Sequence, residues 1–139
     1  MPNEILLFIN LLVVYSAVLV AYKFCGIQGL TFFIVFATIA ANIEVLILIN
    51  AFGLEQTLGN IVFAATFLAT DIICETGSKK QAHRAVNLGI AATVFFVLLS
   101  QIWLLYTPSP NDWAMPHMKA IFTNTGRTMV VSVLVYDIV

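Results

Sequence analysis

The sequence predicts an all-α membrane protein, a polytopic bundle of transmembrane helices forming one domain over residues 1–139. Three observations predict it. Hydrophobic residues make up 61% of the chain and charged residues 9%, whereas a soluble domain is roughly half apolar and a quarter charged. The mean hydropathy is +1.01, more apolar surface than a core of this size hides beneath a polar exterior. The apolar residues also gather into runs near the ~20 residues that cross a bilayer. The same composition excludes a disordered chain. Six Lys+Arg against seven Asp+Glu, a net charge of −1, leave no basic field for nucleic acid. The expected surroundings are a lipid bilayer.

About five helices are expected, four complete and the fifth cut short. The first run, 5–22, is uncharged and lacks the basic flank and small-residue cleavage site of a signal peptide. The second, 30–52, holds Asn42 and Glu44, with Gly53 placed as a C-terminal cap. The third, 59–74, carries Asp71 in its last turns, and the fourth, 85–106, carries Asn87, Ser100 and Gln101. Between them Ser78 and Gln81 have capping-box spacing directly after Gly77, so one helix ends near Gly77 and the next starts near Lys79. The segment 107–119, with Pro108, Pro110 and Pro116, reads as a loop, and Trp113 and Tyr106 suit the interfacial aromatic belt. A fifth run starts near Ala120 or Arg127 and is still hydrophobic at Val139.

Lys23 in the first loop and Lys79, Lys80 and Arg84 in the third hold four of the six cationic residues. The positive-inside rule makes those two loops cytoplasmic and the N-terminus external. From Arg127 to Val139 the run offers ~20 Å, short of the ~30 Å hydrocarbon core. The expectation is the N-terminal part of a longer protein, or an end covered by a partner chain. Cys25 and Cys74 fit no metal or disulfide spacing, and His83 and His117 lack ligand spacing, so no metal and no cofactor is expected.

Ionisable groups at membrane depth must be paired, neutralised or hydrated. On the third helix Asn60, Asp71 and Glu75 fall within about 60° of one another, with Ala64 on the same arc. Asp71 and Glu75 are an i,i+4 pair whose carboxylates repel unless they meet a cation, a proton or solvent. They either form a cytoplasmic salt-bridge cluster with Lys79, Lys80 and Arg84, or contact a transported solute or ion. On the second helix Asn42 and Glu44 lie about 200° apart, so one face does not serve both. Asn42 suits interhelical hydrogen bonding or ligand contact. Glu44, read near mid-bilayer, suits a guanine-like edge of N–H donors. Asn87 and Gln101 align within about 40° and extend a polar seam.

The stretch Asp71-Ile72-Ile73-Cys74-Glu75-Thr76-Gly77-Ser78-Lys79-Lys80-Gln81-Ala82-His83-Arg84 resembles the signature of the queuosine precursor transporters, the vitamin-uptake-transporter family. Thr76 stands where that family usually has an aromatic. Other similar pieces follow the family order: Asn3-Glu4, Gly29-Leu30, Ala41-Asn42-Ile43, Phe52-Gly53, Thr57-Leu58-Gly59-Asn60, Phe67-Leu68, Tyr106-Thr107-Pro108-Ser109, Asp112, Ile121-Phe122, and Arg127 spaced from Ser132 and Tyr136. Each piece is common alone; their order and spacing over nearly the whole chain carry the resemblance.

The resemblance implies a six- or seven-helix fold related to the substrate-binding component of energy-coupling-factor transporters. It implies import of a 7-deazaguanine, preQ0 or preQ1, across the inner membrane for tRNA modification. Asn42, Asp71, Glu75, Arg84 and Arg127 match by motif position. The expected substrate-binding set is Asn42, Glu44, Asp71 and Glu75, with Asn60, Arg84, Gln101 and Arg127 structural or gating. An energising module is an expected partner, with small-residue pairs Ala37–Ala41 and Ala65–Ala69 offered for docking; so is a second chain or protomer that completes the bundle. No enzymatic role is expected, because Asp71 and Glu75 lack the further carboxylates of a metal or phosphate site. The alternative is a non-transporting bundle subunit or an inactive fragment.

Overall fold

The computed structural model describes residues 2–124. Its elements are α1 (Asn3–Glu44), strands β1 (Leu48–Ala51) and β2 (Leu54–Thr57), α2 (Asn60–Thr76), α3 (Lys79–Trp103) and α4 (Met115–Phe122). Two compact units divide the chain between Ala92 and Thr93.

A straight α1 would be ~63 Å long, twice the ~30 Å hydrocarbon core. Gly26 solves the mismatch, with φ 58° and ψ −138° inside the helix, a backbone region that only glycine enters without cost. The chain reverses there. Hydrogen bonds from the far ends record the reversal: Asn3 Nδ2 donates to the Asn50 carbonyl at 2.8 Å, and the Phe52 N–H donates to Glu4 Oε1 at 3.1 Å. The two halves of α1 are therefore the separate antiparallel helices expected from the first two runs. They cross closely at Gly29, where a Cβ would strike the Ala21 carbonyl oxygen and lie 2.9 Å from its carbon and from Cys25 Cβ.

The second run ends earlier than its composition indicates. Helix gives way at Glu44, not Phe52, and the remaining apolar residues form an antiparallel hairpin with Leu48 opposite Thr57 and Ala51 opposite Leu54. The fold is thus mostly helical but not all-α. Two physical reasons apply. The half after Gly26 has by then run ~27 Å at about 1.5 Å per residue, close to a full crossing. Val45, Ile47 and Ile49 are β-branched and favour strand. Gly53 is a turn residue instead of a helix cap: Phe52 (φ 54°) and Gly53 (φ 73°) are the two positive-φ positions of a two-residue hairpin turn. A phenylalanine is uncommon there, and Glu4 holds its N–H.

The first unit's core is a stripe on each of two helices. Leu30, Phe33, Ile34, Ala37 and Ala41 of α1 pack with Val62, Ala65, Ala69 and Ile73 of α2, joined by Ala82 and Ala85 of α3. The spacing of three and four residues gives one face per helix. Ala37, Ala41, Ala65 and Ala69 are all buried in that cluster. Both small-residue pairs therefore serve packing within the chain and offer no docking surface for an energising module.

α2 stops at Thr76 with Gly77 as its cap, and α3 starts at Lys79. Ser78 Oγ accepts the Gln81 N–H and donates to Gln81 Oε1, each at 3.3 Å, so Ser78 caps α3 as its spacing indicates, with Gln81 on the Ser78 hydroxyl and not on its backbone N–H. A Cβ on Gly77 would lie 2.6 Å from Ile27 Cδ1. The turn after α2 therefore sits against the reversal of α1.

In the second unit Phe96, Trp103 and Phe122 meet edge to face, with centroids 5.9–6.4 Å apart. The segment 107–119 is not wholly a loop, because α4 begins at Met115. Asp112 Oδ1 accepts the Ala114 N–H at 2.9 Å just before it, and Pro116 sits in its first turn, where no backbone donor is needed. Any fifth run beyond Asn124, including Arg127, lies outside the described residues.

The outside of these helices is oily. In the most apolar window of α1 only 6% of residues are buried, and in that of α3 28%. Phe24 is 78% exposed and Phe32 71%. The core helix of a soluble protein would bury such side chains; these face a solvent that is itself apolar. Both helices are long and apolar enough to cross a membrane.

Candidate functional site

The polar candidates divide between the two ends of the first unit. At the hairpin end, Gly59 brings the start of α2 against the last turn of α1, where a Cβ would lie 3.0 Å from the Ala41 carbonyl oxygen and 3.1 Å from the Val45 nitrogen. Asn42, Glu44 and Asn60 flank that junction. Asn42 is half-buried and its Nδ2 donates to the Thr38 carbonyl at 2.8 Å. This back-bond within the helix leaves its Oδ1 as the group available to a ligand. Asn60 is exposed, and its Oδ1 accepts from the Thr57 hydroxyl at 3.1 Å.

Glu44 is the last residue of α1, not a mid-helix residue. Its side chain is half-buried, and Oε2 is enclosed with no hydrogen-bond partner. Among the described residues Thr93 Oγ1 is the other such atom. A carboxylate oxygen removed from water without a donor is unfavourable by at least ~1–3 kcal/mol, so each case needs an explanation. Glu44 has unused acceptor capacity in an enclosed place. It can take an N–H donor brought by another molecule.

At the other end, Asp71 and Glu75 are exposed on α2. With Asn60 and Ala64 they occupy the side of the helix opposite the stripe Val62, Ala65, Thr66, Ala69 and Ile73 that packs inward. The polar arc read from the sequence is present, and it faces away from α1. Among the described residues neither carboxylate pairs with Lys79, Lys80 or Arg84. The expected salt-bridge cluster does not form there.

Arg84 instead lines a cleft of about 360 Å³ with Ile27, Gln28, Thr31, Gln81, Ala85 and Leu88. Of its polar groups, the Thr31 hydroxyl already bonds the Ile27 carbonyl at 2.9 Å and Gln81 accepts from the Ser78 hydroxyl. Gln28 and Arg84 are the lining polar side chains that have no hydrogen bond within the described residues. Gln28 and Thr31 were not among the sequence candidates; their signal is the i,i+3 spacing of two polar residues just after the reversal.

Gln101 has a structural partner in the second unit, where its Nε2 donates to the Phe122 carbonyl at 3.0 Å. Asn87 is exposed on α3.

Residues 57–139 match the family model described as "Putative vitamin uptake transporter". Over 122 residues, 88% of this chain, the sequence is 34% identical to the "Probable queuosine precursor transporter" of Bacillus subtilis (strain 168). The match takes in 53% of that relative, so the chain spans about half the length of the curated protein that it matches. No solved structure matches. With more than half of its residues inside the family model and an apolar, lipid-suited exterior, the chain is a membrane protein that belongs to the vitamin uptake transporter family.

Proposed function

We propose that the chain takes part in importing a queuosine precursor, a 7-deazaguanine such as preQ0 or preQ1, across the inner membrane. The observation that carries the cargo class is the similarity to the B. subtilis relative, whose name is that of a queuosine precursor transporter. The chain acts as a single multi-pass transmembrane domain over residues 1–139, of the type found in the substrate-binding components of energy-coupling-factor transporters. The cations Lys23, Lys79, Lys80 and Arg84 support a cytoplasmic position for the two tight turns, with the N-terminus and the hairpin outside.

Glu44 supports the placement of cargo at the hairpin end. A guanine-type edge presents adjacent N–H donors, and a carboxylate with an enclosed, unused oxygen is their complement. Asn42 Oδ1 or Asn60 adds a further polar contact beside it. Asp71 and Glu75, on the far side of α2, act later on the path or at its cytoplasmic mouth, with Gln101 in a structural role through its bond to the Phe122 carbonyl. A planar heterocycle with few polar atoms suits such an apolar site with sparse polar groups. An energising module or a second chain completes the transporter.

The genetic test uses a host that cannot make queuosine and has no other importer of this cargo. Deleting the gene is expected to abolish queuosine in tRNA when preQ1 is supplied outside, and restoring it to bring the modification back. Undiminished modification in the deletion strain contradicts the proposal.

A further inference from the structure

The cleft at the cytoplasmic end points to a ligand unrelated to the cargo. We propose that it binds the headgroup of an anionic phospholipid, with Arg84 on the phosphate and the accessible apolar side chains of Ile27 and Leu88 along the first part of an acyl chain. The lining is split in the way such a lipid is split. Gln28, Thr31, Gln81 and Arg84 supply its polar groups, and the rest of the lining is aliphatic.

The depth fits as well. Lys23 is the last charge before the reversal at Gly26, and Arg84 is the last charge on α3, since no charged residue occurs from Ala85 to Trp103. Both walls of the cleft therefore begin where charge gives way to apolar sequence, the level of the phosphates in a bilayer. The charge is complementary. Lys80 precedes Arg84 by one turn on the same face of α3, and among the described residues Arg84 makes no ion pair or hydrogen bond that would occupy it. The carboxylates at this end, Asp71 and Glu75, are on α2, and no α2 residue lines the cleft. Basic pockets between transmembrane helices on the cytoplasmic side are where anionic headgroups settle.

The test mixes the purified protein in detergent with equal amounts of phosphatidylglycerol and phosphatidylcholine, and native mass spectrometry counts the lipids retained. Wild type is expected to retain phosphatidylglycerol in excess. Arg84→Gln is expected to lower that excess about 5-fold, the share of one cation beside an anionic surface. Arg84→Lys is expected to keep most of it, and Lys119→Gln, which is not a lining residue, all of it. Equal retention of the two lipids by wild type, or an undiminished excess in Arg84→Gln, overturns the proposal. So does displacement of phosphatidylglycerol by excess inorganic phosphate, because the site would then be one for a free anion. Arg84 is exposed, so its replacement leaves the core intact.

Discussion

Replacing Glu44 with Gln is expected to lower preQ1 uptake roughly 10- to 100-fold while leaving the melting temperature unchanged or raised. The first half follows from the lost charged acceptor. A hydrogen bond to a carboxylate is worth about 1.5–3 kcal/mol, and each 1.4 kcal/mol or so is tenfold in affinity. The amide also turns an N–H donor toward cargo donors, which adds repulsion. The second half follows from the unliganded structure, in which Oε2 is enclosed without a partner. Removing an unpaired charge with one enclosed oxygen relieves a desolvation penalty instead of breaking a bond. A residue with a purely structural role would show the reverse, a lower melting temperature with uptake following it. The exposed Glu55 of β2 is the control, and Glu55→Gln is expected to leave both readings near wild type. The pair of measurements is uptake of labelled preQ1 in a queuosine-requiring host and thermal unfolding in detergent.

The second large effect belongs to the reversal of α1. Gly29→Leu is expected to prevent assembly of the helical hairpin, since even a Cβ there meets the Ala21 backbone, which has no flexible end to move aside. Overpacking in a tight core typically destabilises by about 1–3 kcal/mol, and contact with main chain places this substitution at or above the top of that range. Gly26→Ala acts by a different route. Nothing lies within 4 Å of a Cβ at position 26, so its effect is conformational, about 1–3 kcal/mol for a backbone region closed to L side chains. Larger residues at Gly26 are expected to cost no more than alanine, whereas larger residues at Gly29 are progressively worse. Unfolding in detergent separates the two series. If the reversal fails, α1 tends toward a single ~63 Å helix that no ~30 Å core can accommodate, so loss of membrane insertion accompanies loss of stability.

Much of this is legible in the sequence. The two tight turns, the Ser78 cap on α3, and the polar arc of Asn60, Asp71 and Glu75 follow from local rules of spacing and capping. The hairpin was not legible, because Val45 to Phe52 is apolar enough to continue a helix by composition. Its conformation is decided by the length already spent in crossing and by Phe52 and Gly53 entering positive φ together. The use of Ala37, Ala41, Ala65 and Ala69 was ambiguous for a related reason: small residues mark a close helix contact without stating the partner. Glu44 was singled out for its charge, but its depth depended on where α1 ends, which is a property of the whole hairpin. Gln28 and Thr31 gained significance only when α3 was brought beside them.

Equilibrium dialysis of labelled preQ1 against the purified protein tests the central claim most directly. Saturable binding, displaced by unlabelled preQ0 and lost in Glu44→Gln, is the expected result. Folded protein that shows no saturable uptake of the label, or binding that Glu44→Gln leaves intact, contradicts the account of cargo and site together.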